Sequence, residues 1–396
     1  MVKNLIVLAD FPPIVGGTTI WYYRVCELLI LKGYRVYALG GKGNPPRGVI
    51  NLNPHPRKNL LARFFLLAWD AAVEAIKERR ILAELIRKGL LEPGDAGHVV
   101  SFLLMIKRSM PLIPDEGGSV LASHANINSL FAYMLCQRHG RLKLVIREHG
   151  GGVLEFCARR PELVNYLLSK ADYINCVSKH IADECVKKGS SSKHTSVIFS
   201  ARDIPEIKNL PEKENIVLFC GFLEPRKDPL TYIRALKEIP EAYLSAKKIK
   251  FTVVGKGALK EPMREFCRVN GLESNVEFTG ELPIARAWDW MKKSKVLVLP
   301  SIREPSGAVL TEAMAYRCYC IASNTGGIPE LVTPERGSLF EPGDYKKLAN
   351  LITEYFDNEG QFENKLDAAY NYVKENYSFE KASARLTGIL EELSLP

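Results

Sequence analysis

Arg303-Glu304-Pro305-Ser306-Gly307-Ala308-Val309-Leu310-Thr311-Glu312-Ala313-Met314-Ala315 is the stretch whose reading decides the fold. It follows Val296-Leu297-Val298-Leu299-Pro300, an apolar run that reads as a buried parallel strand ending at the proline. A helix is expected to open near Ser306, with Ser306 as its N-cap and Pro305 just ahead. The segment is therefore strand, short loop and helix, with a glycine at the turn. A helix N-terminus in that setting offers unpaired N–H groups and a positive dipole end to an anion. Glu304 lies in the loop and Glu312 about two turns into the helix, roughly 10 Å apart at the helical rise. Carboxylates accept hydrogen bonds from hydroxyls and repel phosphate. They suit the two hydroxyl-rich ends of a nucleotide sugar, with the helix amides at the diphosphate between them.

Working outward, the first half of the chain alternates strands and helices. Leu5 to Leu8 reads as the first strand, Phe11 to Thr18 as a loop, and a helix runs through Trp21 to Lys32. Gly33 is its expected C-cap, and Arg35 to Leu39 reads as the second strand. His98 to Phe102, Lys143 to Ile146 and Ala171 to Ser178 read as later strands, and His124 stands at another strand end. The charged, aperiodic stretch from Arg202 to Asn215 reads as a linker. A second alternating unit follows, with strands at Ile216 to Cys220, Lys250 to Val254, Val276 to Phe278, Val296 to Leu299 and Cys320 to Ala322. Such succession implies parallel sheets covered by helices, with ligands at the C-terminal strand edges. The expected domains are 1–205 and 206–396, with the last helix, about 379–393, able to cross back to the first.

Composition narrows the class. The 396 residues are 46% hydrophobic and 25% charged, as in ordinary globular proteins. No run of 18 apolar residues suggests a membrane span, and the N-terminal run lacks a cleavage site and reads as a buried strand. Nine scattered cysteines without a paired framework point to reduced thiols, hence to a cytoplasmic location. Residues 1–200 carry 27 Lys and Arg against 16 Asp and Glu, and the remainder carries 27 against 29. The basic half suggests an anionic surface or substrate. Arg57 to Trp69, basic and then apolar and aromatic, reads either as a core helix or as a segment lying in a membrane interface. There is no Walker loop, no zinc spacing, no Ser-His-Asp signature and no Asp-x-Asp. No metal, no cofactor and no nucleic-acid partner is expected.

With Leu299-Pro300-Ser301 before it and Gly326-Gly327-Ile328-Pro329-Glu330 after it, the opening stretch resembles the Glu-x7-Glu motif of a large family. These are the retaining glycosyltransferases of the GT-B fold, group 1 or family 4-like. The resemblance implies an α/β GT-B architecture, with two Rossmann-like doubly wound domains facing a central cleft. It also implies hexosyl transfer from a nucleotide-diphosphate sugar to an acceptor hydroxyl, the acceptor being met by the N-terminal domain. Together with the basic half, this gives an expected acceptor that is an anionic lipid-linked or cell-surface glycan, and peripheral contact with the inner face of an anionic membrane.

Site roles follow from the resemblance, residue by residue. Glu304 and His149 are implied to hold the transferred sugar, assisted by the amides of Ser306 and Gly307. Glu312 would hold ribose hydroxyls. Lys227, the amides of Ala308 and Val309, and the Gly16-Gly17 turn would meet the diphosphate, and the loop carrying Leu282 would meet the base. The chain departs from the family at Phe222, where an Arg is usual, and Arg226 is the candidate substitute. Arg317 and Tyr319 stand where Gly and Pro are usual. Two other classes compete: a nucleotide-sugar-binding regulatory or scaffold protein without catalysis, and an epimerase of the same fold.

Overall fold

The computed structural model describes residues 3–10, 17–39, 42–52, 74–75 and 77–394. It divides into two units, Met1–Phe199 with Ala382–Pro396, and Ser200–Lys381. The chain thus changes unit within the expected first domain, and the last helix, Phe379–Glu392, runs from the second unit into the first.

The first unit holds seven strands: β1 (Lys3–Leu8), β2 (Tyr34–Ala38), β3 (Ile50–Asn51), β4 (Gly118–Ser123), β5 (Leu142–Glu148), β6 (Tyr173–Cys176) and β7 (Thr195–Val197). They form one parallel sheet in the order β3-β2-β1-β4-β5-β6-β7. Val7 and Leu8 pair with Leu121 and Ala122, so β1 and β4 end side by side. Connections leave these two strands in opposite directions, which opens a crevice beyond their C-terminal ends. Helix α1 (Gly17–Leu31) follows β1 and buries Trp21, Tyr22, Val25 and Leu29.

One expected strand is absent. His98 to Phe102 lies inside the helix Ala96–Ser109, where Phe102, Leu103 and Ile106 are buried. Their spacing of one, three and four residues places them on one helical face, a pattern that a short apolar window does not distinguish from a strand.

The second unit holds β8 (Glu214–Cys220), β9 (Lys250–Val254), β10 (Val276–Gly280), β11 (Ser294–Leu299), β12 (Tyr319–Ser323) and β13 (Ser338–Phe340). Their order is β10-β9-β8-β11-β12-β13, again parallel, with the reversal between β8 and β11. The core of this unit is dense in aromatics: Tyr319 stacks on Tyr355 at 5.0 Å between centroids and meets the edge of Phe362 at 4.8 Å. Arg317 adopts φ 55°, the left-handed region that favours glycine, and its guanidinium pairs with Glu363 and Asp367. Arg317 therefore belongs to the packing of the helix Glu363–Asn376, and Tyr319 to the aromatic core beside it.

The expected linker also has structure. Arg202 N–H donates to the Tyr377 carbonyl at 2.7 Å, Arg202 bridges Ser378, and Glu214 already belongs to β8.

Candidate functional site

In the second unit the loops after β8 and β11 leave adjacent strands at the reversal point. They are tied together where Ile302 N–H donates to the Arg226 carbonyl at 2.9 Å. Lys227 Nζ forms an ion pair with Glu304 Oε2, both side chains largely buried. Glu304 also accepts from Gly307 N–H at 3.2 Å and from Ser301 Oγ at 3.4 Å. Its backbone carbonyl takes the Gly327 N–H at 3.0 Å, and Gly326, at φ 56°, approaches so closely that an added Cβ would stand 2.0 Å from that oxygen. The Gly-Gly pair downstream is thus what lets the Glu304 loop seat.

The helix Ala308–Ala315 then begins, with Gly307 at φ 67° as its N-cap. Ser306 is not the cap. The Glu304 carboxylate binds the Gly307 amide instead, and only glycine adopts that backbone geometry without strain. Leu310 and Thr311 N–H groups turn back to the Gly307 carbonyl at 2.9 and 3.4 Å. Ala308 and Val309 precede them in the first turn, where a helix leaves donors for a ligand. Further along, Glu312 Oε1 accepts from Arg202 Nε at 2.7 Å.

The remaining predicted residues of this unit separate by exposure. Arg226 Nε pairs with Glu224 at 2.7 Å on a partly exposed turn, and Phe222 is 55% exposed. Leu282 is half-buried and lines a cavity of ≈ 450 Å³ with Thr279, Arg286 and Trp290.

In the first unit, a cavity of ≈ 360 Å³ lies beyond the ends of β1 and β4, lined by Asp10, Thr18, Thr19, His124, Asn126 and Asn128 among others. Glu148, wholly buried at the end of β5, holds His124 of this lining. The carboxylate accepts from the backbone N–H of Ala125 at 2.9 Å, of Gly150 at 2.7 Å and of Gly152 at 3.1 Å, and meets His124 Nδ1 at 3.2 Å. A Cβ on Gly152 would stand 2.4 Å from Glu148 Oε2, so glycine is required there. Burial alone would lower the His124 pKa, but the hydrogen bond and the charge of Glu148 outweigh it and raise it. Burial likewise pushes the Glu148 pKa up, and His124 with the backbone donors brings it below the usual carboxylate value. His149 is half-buried, its ring 5.1 Å from that of His124 and 6.1 Å from that of Tyr22. Beside it Arg147 is wholly buried, stacked 3.7 Å over Trp21 and bonded to Asn175, with burial pushing its pKa down to about 10. Gly17 opens α1; Gly16 lies outside the described residues, as does the Arg57 to Trp69 segment.

Residues 200–375 match the model of the family "Glycosyl transferases group 1". Residues 200–375, nearly all of the second unit, belong to this family. An uncharacterised glycosyltransferase of Methanocaldococcus jannaschii is 26% identical over 299 residues, covering 74% of this chain and 82% of that one. A GDP-mannose-dependent monoacylated alpha-(1-6)-phosphatidylinositol monomannoside mannosyltransferase of Corynebacterium glutamicum is 28% identical over 183 residues, 44% of this chain and 47% of that one. Among solved structures, HepE of Anabaena in complex with UDP-glucose superposes with a TM-score of 0.69 at 16% identity, over 98% of this chain and 99% of that one. The fold is GT-B, as the resemblance implied.

Sequence reasoning brought Glu304, Lys227, Gly307 and the helix start to one place, and the geometry joins them there. It missed Arg202, assigned to a linker although it is the partner of Glu312. It also passed over Glu148 and gave His124 no role. A charged residue at a buried strand's C-terminal end, next to three glycines, was the available signal.

Proposed function

We propose that this glycosyltransferase moves a hexosyl group, with retention of configuration, from a nucleotide-diphosphate sugar to a hydroxyl of an anionic, lipid-linked or cell-surface acceptor. The observation that carries the donor half is the Lys227–Glu304 pair, which joins the loops after β8 and β11 just ahead of a helix N-terminus. A diphosphate drawn to Lys227 and the Ala308 and Val309 amides frees the Glu304 carboxylate for sugar hydroxyls. Glu312, further along the helix, takes ribose hydroxyls. Ser306 and Gly307 amides assist at the sugar, and the Leu282 loop meets the base. In the first unit, His149 touches the transferred sugar and the Gly16-Gly17 turn the diphosphate, each by the register of its motif.

The leaving diphosphate develops negative charge, and a fixed ammonium with helix amides stabilises it without a metal ion. Attack comes from the face the diphosphate leaves. A bond forms between the acceptor oxygen and the anomeric carbon, the bond from that carbon to the phosphate oxygen breaks, and a phosphate oxygen takes the acceptor's proton. Arg226 is the lesser contributor to charge neutralisation, since Glu224 already holds it on an exposed turn.

The acceptor half rests on the basic first 200 residues and on the cavity of mixed polar and apolar lining beyond β1 and β4. The mannosyltransferase of Corynebacterium glutamicum, by its name, acts on a phosphatidylinositol mannoside, an anionic lipid. A cytoplasmic enzyme held loosely at the inner membrane face fits both. Donors named among the relatives carry different bases, GDP in one and UDP in another.

A thermal-shift panel of nucleoside diphosphates and their sugars tests the donor half. One base is expected to raise Tm, with the shift abolished by Lys227→Ala and largely retained by Arg226→Ala. The donor reading fails if no nucleotide raises Tm, and the roles of the two cations are reversed if Arg226→Ala is the more damaging.

A further inference from the structure

We infer that Arg202 is a positioning residue for Glu312 and sets how strictly the donor site demands a ribose, an inference that rests on the ribose role proposed for Glu312. The geometry is confined to the second unit. Arg202 Nε donates to Glu312 Oε1 at 2.7 Å, and its Nη1 donates to the Ala201 carbonyl at 2.8 Å. Both side chains are shielded, 8% and 15% exposed. The backbone of Arg202 is itself clamped, through its N–H to the Tyr377 carbonyl and its bridge to Ser378.

Consider what this does to the carboxylate. A glutamate on a helix surface samples several rotamers, and ordering it on ligand binding costs conformational entropy. Here one oxygen is already held by a guanidinium whose own position is fixed from two sides. Glu312 is therefore set in one orientation before a ligand arrives, with Oε2 and the second lone pair of Oε1 left to accept hydroxyls. An ordered carboxylate discriminates between a ligand with its hydroxyl and one without it better than a mobile carboxylate, which can swing away from the missing partner. The guanidinium also neutralises the carboxylate against the diphosphate end of the donor, which Glu312 on its own would repel.

Arginine suits this task for a reason of shape. Its fork binds Glu312 through Nε and Ala201 through Nη1 at once, whereas a lysine ammonium supplies charge without a fixed direction. Position, rather than charge alone, is what the inference assigns.

Calorimetry on the full chain with UDP, GDP and their 2′-deoxy counterparts reads the effect directly. Wild type is expected to prefer the ribonucleotide by about tenfold, the worth of one hydrogen bond to a charged group. Glu312→Gln should flatten that ratio. Arg202→Met should lower it several-fold with the diphosphate contribution retained, and Arg202→Lys should fall between Arg202→Met and wild type. In Arg202→Met with Glu312→Gln the ratio should equal that of Glu312→Gln alone. The ratio compares two ligands on one protein, so a general loss of stability does not move it, and Arg202→Lys serves if Arg202→Met fails to fold. An unchanged ratio in Arg202→Met and Arg202→Lys overturns the inference while leaving the donor reading intact. Tighter binding of both nucleotides in Arg202→Met overturns it too, since Arg202 would then compete with the donor. A wild type that binds nucleotide without preferring ribose removes the ribose role of Glu312 and the inference with it.

Discussion

A carboxylate with no solvent contact, as at Glu148, is costly unless every lone pair is used. At Glu148 that cost is offset by three backbone donors and the His124 ring, with Gly150, Gly152 and His124 on Oε1 and Ala125 on Oε2. The pair links protonation to folding. His124 has a raised pKa in the folded chain, so its stabilisation is present below the unfolded value of about 6.5 and is lost as pH rises through the folded one. Glu148 has a lowered pKa, so its share is present above its unfolded value and lost as pH falls through the folded one. The groups facing His124 are Glu148 and, further off, Glu155, which raise its pKa, and Arg147, which lowers it; Asp10 lines the same cavity, and the His149 ring lies 5.1 Å from that of His124. Titrating the His124 ring by NMR should therefore give a pKa above about 6.5 in wild type and a lower one in Glu148→Gln. Equal values in the two proteins would remove Glu148 as the cause. The same titration bears on the cavity, since an imidazolium in its lining would favour an anionic group on the acceptor.

At the scale of elements, the deciding unit is strand, loop and helix from β11 through Ala315. The loop is held by contacts from other segments: Arg226 on Ile302, Gly327 on Glu304, and Gly326 packed against the Glu304 backbone. Gly326→Ala would place a methyl carbon 2.0 Å from the Glu304 carbonyl oxygen at a left-handed φ of 56°. The loop must then move. We expect a loss of stability of about 1–3 kcal/mol and weaker donor binding, because Glu304 and the Gly307 cap shift together. Urea unfolding and nucleotide calorimetry check this. Native stability together with native affinity would show that the close approach carries no weight. His98 to Phe102 is the opposite case, where a short apolar run was legible as apolar and not as helical. Only the packing of Phe102, Leu103 and Ile106 on one face resolves it.

For the whole molecule, the charge distribution carries the prediction. No helix among the described residues is long and apolar enough to cross a membrane. The excess of Lys and Arg in residues 1–200 is the basis for expecting loose electrostatic attachment. The protein should sediment with liposomes containing anionic lipid at low salt and be released at high salt, where screening shortens the field. Equal partitioning onto neutral and anionic liposomes at low salt would sink the membrane reading and leave sugar transfer untouched.

The alternation of buried strands and amphipathic helices was legible along the chain because burial dictates residue type locally, at the periods of strand and helix. So was the strand-loop-helix unit after β11, since Glu304, the Gly307 turn and Glu312 are close in sequence and one helix start orders them. What only the tertiary structure decided is pairing across long separations. Arg202 meets Glu312 across 110 residues, and Lys227 meets Glu304 across 77. His124 meets Glu148 across 24 because β4 and β5 lie side by side in register. None of these pairs has a local signal, because a charged residue reads the same in a linker, a turn or a site. Its partner is chosen by which strands the sheet order makes neighbours, and that order follows from the packing of the whole chain.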